Sequence, residues 1–231
     1  KEIRPVTIAT YQVMTTRKQG VYAHLDLFDA IDWGLIIYDE VHLLPAPIFR
    51  FTADIQSRRR LGLTATLVRE DGMEGEVFSL IGPKRFDVPW KEIEAQGYIA
   101  PADCVEVRVT LTDHERLTYA TAEQEDKYRT CATTATKKNV VLALAKQHED
   151  DQVLIIGQYI SQIDEIAADL SVPIIKGDTP VKEREELYAL FRSGEIKCLV
   201  VSKVANFSID LPEASIAIQV SGTFGSRQEE A

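Results

Sequence analysis

Apolar and polar positions divide this chain into short strands and helices that alternate along most of its length. Leu35-Ile36-Ile37-Tyr38 runs without a polar break into Asp39-Glu40, the pattern of a strand buried on both faces that delivers two acids to its C-terminal edge. Upstream, residues 6–11 alternate and are β-branched, which predicts a strand ending in Thr10 and Tyr11, with a short helix after it. Tyr22, Leu25, Leu27, Phe28 and Ile31 fall near helical spacing, and Asp32-Trp33-Gly34 breaks that helix before the acidic strand. Past His42, Pro45-Ala46-Pro47 opens a helix predicted to reach Ile55, and residues 59–66 read as the next strand and its exit loop.

Residues 87–101 read as a connection with a short amphipathic helix through Glu92, Ile93 and Glu94, ended at Gly97. Residues 104–111 alternate as a half-exposed strand would. Residues 112–148 are almost free of Gly and Pro and rich in Glu, Lys, Ala and Gln, which favours helices, and their first part, through Asn139, predicts a mostly solvated surface. A second α/β pattern follows. Residues 152–157 form a buried strand, 160–170 a helix with Ile163, Ile166, Ala167 and Leu170 inward, and 172–175 a short strand. Thr179-Pro180 is expected to cap and start a helix with Leu187, Leu190 and Phe191 on its inner side and Gly194 after its end. Residues 196–202 and 215–221 complete the strands. Strand and helix alternate in both halves, which predicts parallel sheets and an α/β fold of two RecA-like lobes.

The chain has 231 residues, 45% of them hydrophobic, enough for a sizeable core. A net charge of −10 argues against indiscriminate coating of nucleic acid and leaves room for a local basic groove. Cys104, Cys131 and Cys198 are odd in number and far apart, and His24, His42, His114 and His148 are scattered. Neither a disulfide framework nor a zinc site is indicated. No apolar run reaches membrane-spanning length and no signal-peptide h-region is present, so a soluble, intracellular protein without a membrane partner is expected.

An apolar strand that ends in Asp-Glu suits nucleotide hydrolysis. The first carboxylate can hold Mg²⁺ through its water shell, and the second can orient or deprotonate the attacking water. No Gly-x-x-x-x-Gly-Lys-Ser/Thr loop occurs. A phosphate cradle is therefore expected upstream of Lys1.

Asp39-Glu40-Val41-His42 followed on the next strand by Thr64-Ala65-Thr66 matches, in kind and order, the second and third motifs of superfamily 2 helicases. The run Leu61-Gly62-Leu63-Thr64-Ala65-Thr66-Leu67-Val68-Arg69-Glu70-Asp71 resembles the XPB type of DNA helicase. So do Ile81-Gly82-Pro83-Lys84, Gly97-Tyr98-Ile99-Ala100, Ser202-Lys203-Val204 and Asp210-Leu211-Pro212-Glu213-Ala214, in the family's order over nearly the whole chain.

The resemblance implies that residues 1–88 are the C-terminal part of a first RecA-like helicase lobe and 89–231 a second lobe, incomplete at its C-terminus, with a helical thumb-like insertion at about 111–139. It implies ATP and Mg²⁺ as cofactors, with Asp39 and Glu40 serving the metal and Glu40 acting as catalytic base. His42 with Thr64 and Thr66 would couple hydrolysis to strand movement; a histidine satisfied by a neighbouring carbonyl is the alternative. Asp210 would approach the nucleotide, or serve only as a turn residue. Thr10, Tyr11 and Lys203 would meet DNA, while a buried Tyr at a strand end is the other reading of Tyr11. Arg69, Glu70 and Asp71 would form a wedge at the duplex junction or an exposed loop salt bridge.

The expected partners are DNA, as single strand and duplex junction, and repair or transcription proteins. The expected place is a prokaryotic cytoplasm, or the nucleus if eukaryotic. Residues 225–231 resemble the approach to a sixth motif whose arginine finger would follow, so the chain by itself is expected to hydrolyse ATP negligibly. Two other functions fit the same sequence: a non-catalytic RecA-like docking module, or the motor subunit of a restriction or remodelling system.

Overall fold

A computed structural model describes residues 3–28, 30–41, 57–64, 74–202 and 211–222. The chain folds as two compact units that part between Asp103 and Cys104.

In the N-terminal unit, the strand expected over residues 6–11 is not formed: among the described residues it has no ladder partner, and Val6 and Ile8 are 83% and 94% exposed. Thr10 instead caps α1 (Tyr11–Thr15), its hydroxyl accepting the Val13 N–H at 3.3 Å. A β-branched alternation without a neighbouring strand yields to a threonine that can satisfy a helix N-terminus. The helix expected from Tyr22 to Ile31 is also corrected. β1 (Arg17–Lys18) and β2 (Val21–Tyr22) form a hairpin whose turn residues Gln19 and Gly20 both have positive φ, as a two-residue turn of the I′ kind requires. That pairing takes Tyr22, so only one 3₁₀ turn, Leu25–Leu27, remains of the helix.

β3 (Ile36–Tyr38) runs parallel to β4 (Arg60–Gly62), with Ile36 opposite Arg60 and Tyr38 opposite Gly62. Met14 from α1 and Val77 and Leu80 from α2 (Glu74–Ile81) pack with Tyr38 and Val41 on one face of this pair. Ile37, facing the other way, is 55% exposed. The expected burial on both faces is thus corrected: among the described residues only one face of β3 is covered. α3 (Trp90–Ala95) and Gly97, at φ +76°, stand in the predicted connection. Residues 104–111 form no strand, and Val105 and Val107 both face solvent. Alternation alone supplies no partner for their backbone groups.

The C-terminal unit begins with three helices, α4 (Asp113–Thr121), α5 (Gln124–Ala132) and α6 (Ala135–Gln147). One carboxylate ties two of their N-termini: Glu115 Oε2 accepts the Thr112 N–H at 2.8 Å and the Thr134 hydroxyl at 3.0 Å, and Thr134 caps α6. These donors, Thr112 N–H foremost, hold the Glu115 carboxyl below its usual range.

β5 (Val153–Gly157), α7 (Ile160–Leu170), β6 (Ile174–Ile175), α8 (Val181–Arg192), β7 (Cys198–Ser202) and β8 (Ile216–Gln219) follow. The four strands are parallel, in the order β6-β7-β5-β8. Successive residues of one strand point to opposite faces, and both faces are filled. Val153, Ile155 and Val200 pack with Val141 and Ala145 of α6 and Ile163, Ile166 and Ala167 of α7. Leu154, Leu199 and Val201 pack with Tyr188 and Phe191 of α8. Each such aliphatic side chain contributes about 1.5–3 kcal/mol when fully buried. The cap at α8 is corrected by one residue: Pro180 stands at the N-cap, and Thr179 Oγ1 accepts the Lys176 N–H at 2.9 Å.

A Cβ on Gly157 would lie 2.4 Å from Ile163 Cγ2 and 3.0 Å from Val220 Cγ1. Gly157→Ala is expected to lower stability by about 1–3 kcal/mol through overpacking, read by urea unfolding. For Glu115 the folded-state pKa is depressed, so its contribution is complete above its ordinary 4.5 and is lost as pH falls through the lowered value. Thermal melts should therefore fall more steeply on acidification in the wild type than in Glu115→Gln; parallel pH profiles would refute this.

Candidate functional site

Asp39 and Glu40 follow directly on β3 at its C-terminal end, the edge at which open α/β sheets bind ligands. The ladder continues past the formal strands: Leu63 N–H donates to the Tyr38 carbonyl and Val41 N–H to the Leu63 carbonyl, both at 2.9 Å. Leu63 is therefore laced between the residues that bracket the two acids. Thr64, the next residue, leaves the neighbouring strand beside them.

Tyr38 and Val41 are both buried on the apolar side, Val41 to 2% exposure, while Asp39 and Glu40 are exposed. Returning the chain to the core after two outward residues forces an unusual backbone. Glu40 sits at φ +47°, the left-handed region that costs a non-glycine residue roughly 1–2 kcal/mol. Three interactions offset that cost. Asp39 Oδ1 accepts the Glu40 N–H at 3.1 Å, the Tyr11 hydroxyl donates to the Asp39 carbonyl at 2.6 Å, and Val41 is anchored by Leu63. Gly62, opposite Tyr38, lets this turn lie close, because a Cβ there would meet Val41 Cγ1 at 3.3 Å and Ile81 Cγ2 at 3.4 Å. Strain held by surrounding packing is a recurring mark of functional sites.

Tyr11 is the residue whose part the sequence did not reveal. Its side chain reaches across to the acidic turn, and burial, then the nearby Asp39, Tyr38 and Glu40, push its phenol above the ordinary tyrosine range. It therefore stays a protonated donor at neutral and mildly alkaline pH. Only the spacing of Tyr11 and Met14 on one face of α1 hinted at this, since Met14 packs beside Tyr38.

The structure thus brings Tyr11, Asp39 and Glu40 together, with Thr64 on the adjoining strand exit and Thr10 at the N-cap of the helix that carries Tyr11. His42, Thr66, Arg69, Glu70, Asp71, Lys203 and Asp210 lie outside the described residues. Two exposed, adjacent carboxylates offer hard oxygen donors at a sheet edge, and such a pair fits Mg²⁺, which keeps much of its water shell and takes one or two carboxylates. Among the described residues no helix is long and apolar enough to cross a membrane.

Residues 93–231 match the model of the ERCC3/RAD25/XPB C-terminal helicase family. Over 231 residues the chain is 74% identical to the DNA 3'-5' helicase XPB of Kineococcus radiotolerans, covering 100% of this chain and 42% of that protein. It is 34% identical to the general transcription and DNA repair factor IIH helicase/translocase subunit XPB/SSL2 of Saccharomyces cerevisiae, over 98% of this chain and 28% of that one. The chain thus spans less than half the length of these curated relatives. The crystal structure of the Pyrococcus furiosus Hef helicase domain aligns with a TM-score of 0.50 at 12% identity, over 88% of this chain and 69% of that one. At that identity the likeness concerns the fold, which is RecA-like α/β as the alternation predicts.

Tyr11→Phe keeps the ring and removes the hydroxyl that donates to the Asp39 carbonyl. A loss of about 0.5–1.5 kcal/mol in chemical unfolding is expected, together with faster amide exchange at Glu40 and Val41. Unchanged exchange there would show that the turn does not depend on Tyr11.

Proposed function

The chain belongs to the ERCC3/RAD25/XPB helicase family, and from that premise we propose that it forms the core of an ATP-dependent DNA helicase or translocase that opens duplex DNA in repair or transcription. The observation that carries the reading is the strained acidic turn at the C-terminal end of a parallel strand, with Asp39 and Glu40 both exposed and Glu40 held at φ +47°. Relatives named DNA 3'-5' helicase XPB support the polarity and the substrate, and the transcription and DNA repair factor IIH subunit of yeast supports the setting.

In this reading Asp39 would hold Mg²⁺, which would supply neutralisation of the phosphate charge of ATP. Glu40 accepts a proton from the water that attacks the γ-phosphoryl group, giving ADP and inorganic phosphate. Its left-handed backbone sets the direction in which that carboxylate leaves the chain. Thr64, with His42 and Thr66, relays the event towards the bound strand. Thr10, Tyr11, Lys203 and the Arg69-Glu70-Asp71 element serve the DNA, and Asp210 the nucleotide. Phosphate contacts to the strand make affinity fall as salt rises. Repair or transcription proteins are the proposed partners, in a prokaryotic cytoplasm or, in a eukaryote, the nucleus.

The test is DNA-stimulated ATP hydrolysis by the full-length protein beside Glu40→Gln. Loss of the base is expected to lower turnover by about 10²–10⁴-fold, with nucleotide binding retained. Equal turnover in the two proteins would remove Glu40 from the chemistry and weaken the motor reading.

A further inference from the structure

Three consecutive residues at the exit of β8 are each held by a side chain. Lys137 Nζ reaches the Val220 carbonyl at 3.5 Å, and the Tyr128 hydroxyl donates to the Gly222 carbonyl at 2.9 Å. Between them, Ser221 Oγ accepts the Gln158 N–H at 2.9 Å and donates to Gln162 Oε1 at 2.8 Å. Gln162 Nε2 then donates to the carbonyl of Ala132, the last residue of α5, at 2.7 Å. Two of the three grips come from α5 and α6 directly, and the third is routed to α5 through Gln162.

This is a continuous hydrogen-bonded chain from Gln158 N–H through Ser221 and Gln162 to Ala132. Each link donates in the same sense, so the links polarise one another. Gln162 and Ser221 are 5% and 6% exposed. Water therefore cannot readily replace a broken link, and the Gln162 amide has one orientation that satisfies both of its ends. Gly157 makes the arrangement possible, since without a Cβ it lets Ile163 and Val220 close over the end of β5.

The hydrogen-bonded chain starts at the edge where open parallel sheets commonly bind ligands. β5 and β8 are adjacent parallel strands, with Ile156 opposite Gln219, and the Ser221–Gln158 link joins their C-terminal exits. It ends in the helices over 113–147. Of those helices, α4 is tied to the N-terminus of α6 by Glu115, and α6 to α7 by the Lys138 ion pairs with Glu165 and Asp169, both at 3.2 Å. A shift of the β8 exit would thus reach α5 and α6 first, the two helices that grip it.

We propose that Ser221 and Gln162 are positioning residues that carry displacement at the C-terminal sheet edge to the helical segment 113–147, coupling ATP use to strand separation. The role rests on the motor function proposed above. Neither residue touches nucleotide or DNA in it; both act through α5.

The experiment uses the full-length protein and three readouts: DNA-stimulated ATP hydrolysis, opening of a forked duplex, and deuterium uptake by residues 124–134. Ser221→Ala and Gln162→Leu are expected to keep hydrolysis within about threefold of wild type while base pairs opened per ATP fall about tenfold. Uptake over 124–134 should rise about tenfold, the double variant should be no worse than either single one, and Ser221→Thr should restore coupling. Tyr128→Phe preserves the ring and should move the same readouts in the same direction, which covers the case in which the buried changes do not fold. Hydrolysis and opening falling in equal proportion, or uptake unchanged in Ser221→Ala or Tyr128→Phe, would overturn the proposal. Wild-type hydrolysis by Glu40→Gln would instead overturn the motor reading, and deuterium uptake would still decide whether the link holds α5.

Discussion

Parallel pairing of Ile36–Tyr38 with Arg60–Gly62 is the constraint from which the N-terminal site follows. Continued through Leu63 to Val41, it requires the chain to leave the core for two residues and come back. Those two residues are the acids. The return puts Glu40 in the left-handed region, and the Tyr11 hydroxyl, the Asp39 side chain and the burial of Val41 keep it there. A carboxylate on a backbone so over-determined has little freedom to reorganise, the kind of preorganisation that charge-stabilising sites need.

The C-terminal unit obeys the same constraint in a more complete form. Its four parallel strands are covered on both faces, so every residue from Val153 to Ile155 has an apolar neighbour on one side or the other. With the faces filled, Gln162, Ser202 and Ser221 are buried polar side chains near the C-terminal edge. There Gln162, Ser221 and the Gln158 amide satisfy one another. The same edge that suits ligands by topology is the edge at which the helices over 113–147 are fastened.

Periodicity was legible wherever burial was two-sided and local. Val153–Gly157, Ile160–Leu170 and Val181–Arg192 appear where their spacing places them, because continuous apolar runs and 3.6-residue stripes leave few alternatives. It misled where a pattern needed a partner that spacing cannot supply. Residues 6–11 and 104–111 alternate like strands yet have no ladder among the described residues, and Tyr22 was drawn from a helical stripe into a hairpin by the turn at Gln19-Gly20. Tyr188, buried on the inner face of α8, stands outside the Leu187, Leu190 and Phe191 stripe that spacing predicts.

The chain of residues alone determined the class of fold, the order of its motifs and the presence of two acids at a strand end, since these depend on local composition and on spacing. The tertiary structure decided what lies across from what. That Tyr11 holds the Asp39 carbonyl, that Gly62 admits Val41, and that Ser221 reaches Ala132 through Gln162 are contacts between residues far apart in sequence. Such contacts depend on strand register and on the packing of helices against the sheet. No local pattern encodes them, because each is fixed only when the whole unit closes.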